Sequence, residues 1–378
     1  MSSIPPKHKA VVIAGTPGGA YPLYEVQEIP TITDLKDYQL LVKQKALAAN
    51  PTDWKHAVFD WSKRGVVVGA DSAGIVLKVG PKVEGFGVGD HVSSFGYGGF
   101  IPHPTDGLFQ EYAVVDSRWS INYGQTLKSR LEESRIPSGK VDSFENAATI
   151  TLGLITIGNS FHHHLGLRES NPDNSSKYIL ILGGATATGY LAIQVARKIY
   201  GLNVVATASP KNFGKLQAIG VEKVFDYHDD EVFTQIKQYA GENLIYAYQT
   251  TGEVDLTRGA HYALADHSQA YLNTIQIIYP ENLAEAGVEL KRNVKLSATL
   301  AYTTLGEDQH FPNHDFKAQP GEEQSHQEFW AYAPKYITNG DILAIEARVL
   351  GNGLDLAEEA GRLGKEGQLS AEKAVFRV

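Results

Sequence analysis

Cysteine is missing from all 378 residues. Its absence removes disulfides, thiolate nucleophiles and every zinc site built on cysteine ligands. Long apolar runs are missing too. None approaches the roughly 18 to 20 residues a membrane-spanning helix needs, and the opening MSSIPPKHKA has no apolar core of a signal peptide. Excess positive charge is also lacking: 34 Lys and Arg stand against 43 Asp and Glu, a formal charge of -9. That balance argues against a nucleic-acid binder but leaves room for a local basic pocket that takes one small anion. No internal repeat and no low-complexity tract is present. What remains, 43% hydrophobic and 20% charged, is the composition of a globular, enzyme-like protein, expected in the cytoplasm without a membrane partner. Its length implies two domains.

The first third reads as short β-rich segments, KAVVIAG from Lys9, YQLLVKQKALAAN from Tyr38, SAGIVLKVG from Ser72 and DHVSSFG from Asp90. Gly and Pro punctuate them at short intervals, as in a compact barrel-like β domain. From about Phe144 helical spacing appears, with Ser143 as N-cap and Ile150, Leu154 and Ile157 on one face. After RESNPDNSSK, strands and helices alternate: YILILGG, NVVATAS, KVFDY, LIYAYQ and SQAYLNT, with NVKLSATLAY as a sixth strand. Such alternation predicts an α/β fold with a doubly wound parallel sheet. A loop containing HFPNHD, expected at the surface, leads to a helix near Glu323 to Thr338 and a final strand KAVFRV.

ILILGGATATGYLAIQVARKIYG, from Ile179, is a buried strand, a glycine turn and a helix carrying Leu191, Val195 and Ile199 on one face. The dinucleotide fingerprint G-x-G-x-x-G falls on Gly184, Thr186 and Gly189, so its middle glycine is replaced. The helix N-terminus still offers N–H groups and a dipole to an anion, and Thr186 is expected to add a hydroxyl donor. At the end of the second strand, where NAD binders carry an acidic residue for the ribose hydroxyls, this chain has Ser209, with Lys211 two residues later. A carboxylate repels a 2′-phosphate, whereas a hydroxyl and an ammonium accept one. NADPH is therefore expected over NADH. Ser209 is also placed to cap the helix that begins at Pro210.

His162, His163 and His164 invite a metal reading, but consecutive helical residues point in different directions. They are read as a helix end with solvent-facing imidazoles. DYHDDE from Asp226 reads as ordinary helix capping, and no metal site is assigned. Trp54, Phe59, Trp61, Tyr97 and Phe100 crowd the first third. Core packing accounts for most of them, and a subset around Trp54 and Tyr97 would wall an apolar substrate site.

GADSAGIVLKVGPKVEGFGVGDHV, Gly69 to Val92, resembles the signature segment of the medium-chain dehydrogenase/reductase superfamily through Gly69, Asp71, Gly74, Val79, Gly80, Gly89 and Asp90. GLFQEYAVV from Gly107 and SPKNF…VFDYHD from Ser209 are similar to its fungal zinc-independent branch of quinone, alkenal and trans-acting enoyl reductases. The resemblance runs from Lys9 to Lys373. It implies a GroES-like catalytic domain at 1–155 and 308–378 and a Rossmann NADPH-binding domain at 156–307. It implies further that Asn50, Thr52, Asp53 and Lys55 of NPTDWK border the nicotinamide and its phosphates, and that Thr156 lies beside the ring. Ala185, Thr186, Ala187, Thr188 and Gly189 then hold the pyrophosphate, and Ser209, Lys211, Asn212 and Tyr227 surround the adenosine phosphate. Leu272, Asn273, Leu369 and Ser370 close over the cofactor, and residues near Thr299 to Tyr302 meet the substrate. Three positions depart from the pattern: Gln249 for an aspartate, Thr151 for a proline and Ala371 for a glycine.

Alcohol oxidation in zinc-bearing relatives relies on a Lewis acid, whose cysteine ligands this chain lacks. Reduction of a quinone, or of an alkene conjugated to a carbonyl, needs only a hydride, donors for the developing oxyanion and a proton. Lys55, Thr156 and the cofactor's own ribose hydroxyl are candidate donors, and Tyr97 or Tyr302 candidate proton sources; packing or a structural hydrogen bond is the alternative for each tyrosine. The expected partner is an unsaturated carbonyl or quinone, with a carrier protein if the enzyme serves biosynthesis. A nonenzymatic NADPH-binding sensor or scaffold of the same fold is the competing reading. The chain is expected as a monomer or as a homodimer.

Overall fold

The computed structural model describes residues 4–275, 280–311 and 314–378. The chain divides into a β-rich unit, Met1–Leu152, Gln309–Phe316 and Leu343–Val378, and a parallel-sheet unit, Gly153–Asp308 and Lys317–Ile342.

In the β-rich unit an eight-stranded sheet runs in the order Ser120–Asn122, His91–Phe95, Asp71–Val79, Gln39–Ala48, Glu372–Arg377, Glu346–Asn352 and Arg135–Ile136, with Tyr112–Asp116 also pairing Gln39–Ala48. Gln39–Ala48 is the hub. Register shifts at Leu41/Val42 and Gln44/Ala46 bend its pairing with Asp71–Val79, and such bulges curl a sheet. The last strand, Glu372–Arg377, pairs antiparallel with the hub, Val375 opposite Ala48. C-terminal residues thereby lie beside the segment that leads into NPTDWK. The core beneath holds Leu47, Phe109 and Phe376, with the two phenylalanine rings edge to face at 5.0 Å.

In the other unit six parallel strands run in the order Lys223–Asp226, Asn203–Ala208, Tyr178–Leu182, Leu244–Gln249, Ala270–Thr274 and Val294–Ala298. The chain enters in the middle, winds to one edge and returns to build the other. This is the doubly wound order, and its switch point lies between Tyr178–Leu182 and Leu244–Gln249. Each strand is a short apolar run read directly from the sequence.

Four expectations are corrected. First, residues 308–378 do not all join the β-rich unit: Lys317–Ile342 groups with the parallel sheet. Its helix Glu322–Trp330 buries Phe329 completely, against Gly158 and His162. Second, His162 and His164 do not face solvent. Thr151–Gly158 continues into a π-helix, Asn159–His164, in which the Leu165 N–H reaches the Ser160 carbonyl at 2.9 Å. There His162 is 3% exposed, its two ring nitrogens 3.1 Å from Glu328 Oε2 and 3.2 Å from the Tyr332 hydroxyl. Burial pushes the His164 pKa down to about 4, so its ring is neutral. Third, HFPNHD is not all loop: its described residues fall in two short strands, Gln309–Phe311 and His314–Phe316, that pair antiparallel, while Pro312 and Asn313 lie outside the described residues. Fourth, the expected helix Glu323 to Thr338 is two helices, Glu322–Trp330 and Ala333–Asn339, the second with Pro334 in its first turn.

A Cβ added to Gly158 would lie 2.4 Å from the Phe329 ring. Alanine normally stabilises a helix relative to glycine. Here overpacking reverses the sign, and Gly158→Ala is expected to lower stability by about 1–3 kcal/mol in urea unfolding. An unchanged or raised midpoint would refute the tight contact.

Candidate functional site

The switch point opens at Gly183, whose φ of +78° suits glycine. The helix Ala187–Lys198 starts at Thr186, whose hydroxyl accepts the Gly189 N–H at 2.9 Å and lies 3.0 Å from the Thr250 hydroxyl. Thr250 in turn donates to the Leu182 carbonyl at 2.7 Å. The expected donor role of the Thr186 hydroxyl is therefore corrected: it caps the helix and ties it to the neighbouring strand end. Capping leaves the N–H groups of Ala187 and Thr188 without an intrahelical acceptor. Both residues, like Ala185, are partly exposed. Gly189 is required for packing, since a Cβ there would lie 2.2 Å from the Gly183 carbonyl oxygen.

At the end of the second strand, Ser209 occupies the N-cap position without capping. Its hydroxyl instead donates to the Tyr227 hydroxyl at 3.1 Å, and Tyr227 is 43% exposed. Lys211 is exposed, while Asn212 is buried, with its N–H on the Ser209 carbonyl at 3.0 Å. The corner has an acidic neighbour: Asp226 stands opposite Ala208 in the sheet register. His228 occupies that carboxylate through its backbone N–H and its ring nitrogen at 2.7 Å, bonds that hold the Asp226 pKa below its usual value.

Leu272 is wholly buried in the sheet core, so its side chain has no part in a binding surface. The Asn273 side chain is committed internally, donating to Ser297 at 2.9 Å and accepting from Thr299 at 3.1 Å. Thr156 is 8% exposed. Its carbonyl lies 2.9 Å from the Ser160 hydroxyl, itself 3.0 Å from the Thr299 hydroxyl. The sequence reading missed Ser160, for which the signal was a lone hydroxyl four residues after Thr156 on an apolar helix. Tyr302 is buried in the turn Ala301–Leu305.

In the β-rich unit, Pro51–Val58 is the helix that carries NPTDWK. Asp53 Oδ2 accepts the Asn50 N–H at 2.7 Å, closing the first turn. Asn50 Nδ2 donates to the Ala48 carbonyl at 3.1 Å and to Asp71 Oδ2 at 3.0 Å. Asp71 also accepts the Leu152 N–H at 2.7 Å and Lys373 Nζ at 2.5 Å. Asn50, Asp53, Asp71 and Lys373 are all buried, so Asn50 and Asp53 build the frame of the motif. Burial, reinforced by the Asp71 charge, raises the Asp53 pKa to about 7. Burial raises that of Asp71 as well, against the pull of Lys373.

Thr52 Oγ1 lies 3.3 Å from His56 Nδ1, and burial pushes the His56 pKa down to about 4. Lys55 is half-buried, with Nζ 5.7 Å from the centre of the Trp54 ring, and burial lowers its pKa. Tyr97 stacks on His103 at 4.9 Å. Leu369 packs against the core, and Ser370 is half-buried beside Ala371, whose φ of +53° is the left-handed conformation a glycine would adopt without strain. Gln249 and Thr151, the other two departures, are satisfied locally. The Gln249 side-chain Oε1 accepts the Thr251 and Gly252 N–H groups, and Thr151 donates to Ser93 at 2.8 Å. Among the described residues no group of three or more His, Cys, Asp or Glu is arranged to hold a metal ion, and no helix is long and apolar enough to cross a membrane.

Residues 36–124 match the alcohol dehydrogenase GroES-like domain. The chain is similar to the yeast protein YNL134C of Saccharomyces cerevisiae, with 32% identity covering 99% of this chain and 98% of that protein. It is similar to the trans-enoyl reductase resD of Aspergillus sclerotiorum, with 31% identity covering 97% and 99%. Its fold matches the crystal structure of CurK enoyl reductase with a TM-score of 0.73 at 18% identity, covering 99% of both chains.

Proposed function

This chain belongs to the zinc-independent enoyl and quinone reductase branch of the medium-chain dehydrogenase/reductase superfamily, and from that premise we propose that it is an NADPH-dependent reductase of activated C=C bonds or quinones. The observation that carries the reading is the corner at the second strand end. The Ser209 and Tyr227 hydroxyls are 3.1 Å apart, Lys211 follows two residues later, and the neighbouring Asp226 is occupied by His228. This donor set fits a 2′-phosphate. The first-turn N–H groups of Ala187 and Thr188 suit the pyrophosphate. NADPH, when bound, supplies a hydride.

Lys55 is the proposed donor to the substrate oxygen. Its burial makes the ammonium a stronger acid, suited to stabilising or protonating an enolate. Thr156 would border the nicotinamide, held in place through its carbonyl by Ser160. Tyr97 or Tyr302 is the proposed proton source. Ser370 would meet the cofactor, while Asn50 and Asp53 orient Thr52 and Lys55. The substrate is a small-molecule unsaturated carbonyl or quinone, with a carrier protein for an enoyl thioester.

Lys211→Ala is expected to weaken NADPH binding about tenfold, one charge-assisted contact, and NADH binding less than twofold in a titration of each. Equal losses would remove the phosphate assignment. NADPH oxidation against quinones, alkenals and enoyl thioesters tests the enzyme reading. Tight binding without turnover on any of them would instead favour the sensor.

A further inference from the structure

Five aromatic rings form an unbroken row within the β-rich unit. It starts at Lys55, whose Nζ lies 5.7 Å from the Trp54 ring centre. Trp54 meets Phe59 at 6.3 Å, Phe59 meets Trp61 at 5.2 Å, Trp61 meets Phe311 at 5.1 Å and Phe311 meets Phe316 at 5.4 Å. Core aromatics alongside, Phe95 and Phe100, are 3% and 4% exposed. Members of the row are not buried in this way: Phe59 is 48% exposed, and Trp54, Trp61, Phe311 and Phe316 are half-buried. His56 backs the row, 5.9 Å from Trp61 and 5.8 Å from Phe311, with a neutral ring.

These rings stay partly exposed, and a contiguous exposed apolar surface marks a binding site. One end carries a cation that takes an anionic or polarised oxygen, and the rest is apolar. A ligand matching it has a carbonyl head and a long hydrocarbon body.

We propose that this row is the specificity-determining track of the enzyme, with the conjugated carbonyl of the acceptor at Lys55 and its extended apolar tail lying over Trp61 and Phe311. The assignment rests on the reductase reading above and narrows it to long-chain acceptors. The paired strands Gln309–Phe311 and His314–Phe316 supply the far end of the track through Phe311 and Phe316.

The test is a homologous series from 2-butenal to 2-decenal with NADPH. In the unaltered enzyme kcat/KM rises about fourfold per added methylene, the value of burying a CH₂ group. Phe311→Leu and Trp61→Leu cut that increment by more than half for the longer members. A flat series in the unaltered enzyme, or the same increment in both variants, overturns the track. Quenching of tryptophan fluorescence without cofactor is the second measurement. It must strengthen from 2-butenal to 2-decenal and weaken in Phe311→Leu, and equal quenching along the series overturns the track. If no aldehyde is reduced but the quenching follows chain length, the reductase reading falls and the apolar site stands.

Discussion

Replacing Lys373 with methionine is expected to destabilise the protein by about 3–5 kcal/mol, the cost of leaving one member of a buried ion pair alone. Lys373 is 4% exposed and Asp71 is wholly buried, and the two are 2.5 Å apart. The remaining partners of Asp71, the Leu152 N–H and the Asn50 amide, do not neutralise it. Without the ammonium the carboxyl has one escape, to take up a proton. Burial already places its folded pKa above the unfolded value, so Asp71 favours folding most at low pH, and that contribution is lost as pH rises through the folded pKa. In the variant the folded pKa rises further, so the loss extends to higher pH. Urea unfolding should show a deficit that is largest near pH 8 and shrinks toward pH 4. Adding Asp71→Asn should recover much of it. A midpoint at pH 8 equal to that of the unaltered protein would contradict the pairing.

Asp53→Asn is expected to act in the opposite direction. The Asp53 carboxyl titrates near 7, chiefly because it is buried. Its folded pKa lies above the unfolded value of 3.8. Relative stability is therefore full below about pH 4 and falls as pH rises to 7. The difference corresponds to about 4 kcal/mol. Asparagine keeps an acceptor for the Asn50 N–H and carries no charge, so the variant should be the more stable by several kcal/mol at pH 8 and equal below pH 4. Unfolding midpoints at the two pH values check this. A difference independent of pH would show that something other than the carboxylate charge is responsible.

These two carboxylates show where the sequence stopped being legible. NPTDWK and GADSAG are conspicuous locally, but that Asp53 and Asp71 share one buried frame with Lys373 depends on a strand from the far end of the chain. The parallel sheet was legible because each strand is a compact apolar run. Ser209 and Lys211 were read from one strand end, but the expected cap was not formed, because the Ser209 hydroxyl donates to Tyr227 on the next strand's end. The π-helix was not legible, since the apolar spacing of Thr151–Gly158 does not mark where the pitch widens. Burial of His162 depends on Glu328 and Tyr332, which no local pattern links to it. Thr186 was placed correctly in the turn, but its hydroxyl answers to the helix it begins and to Thr250.

The segment Gln309–Phe316 has a practical consequence for dissecting the molecule. Both its flanks belong to the parallel-sheet unit, yet its own residues group with the β-rich one. Neither half can then be expressed by cutting the gene twice. A fragment spanning 153–342 would carry Phe311 and Phe316 stripped of Trp61, Phe100 and His56, two sticky rings inviting precipitation. A soluble excised half needs those eight positions exchanged for a short polar linker, and the complementary half would lack one wall.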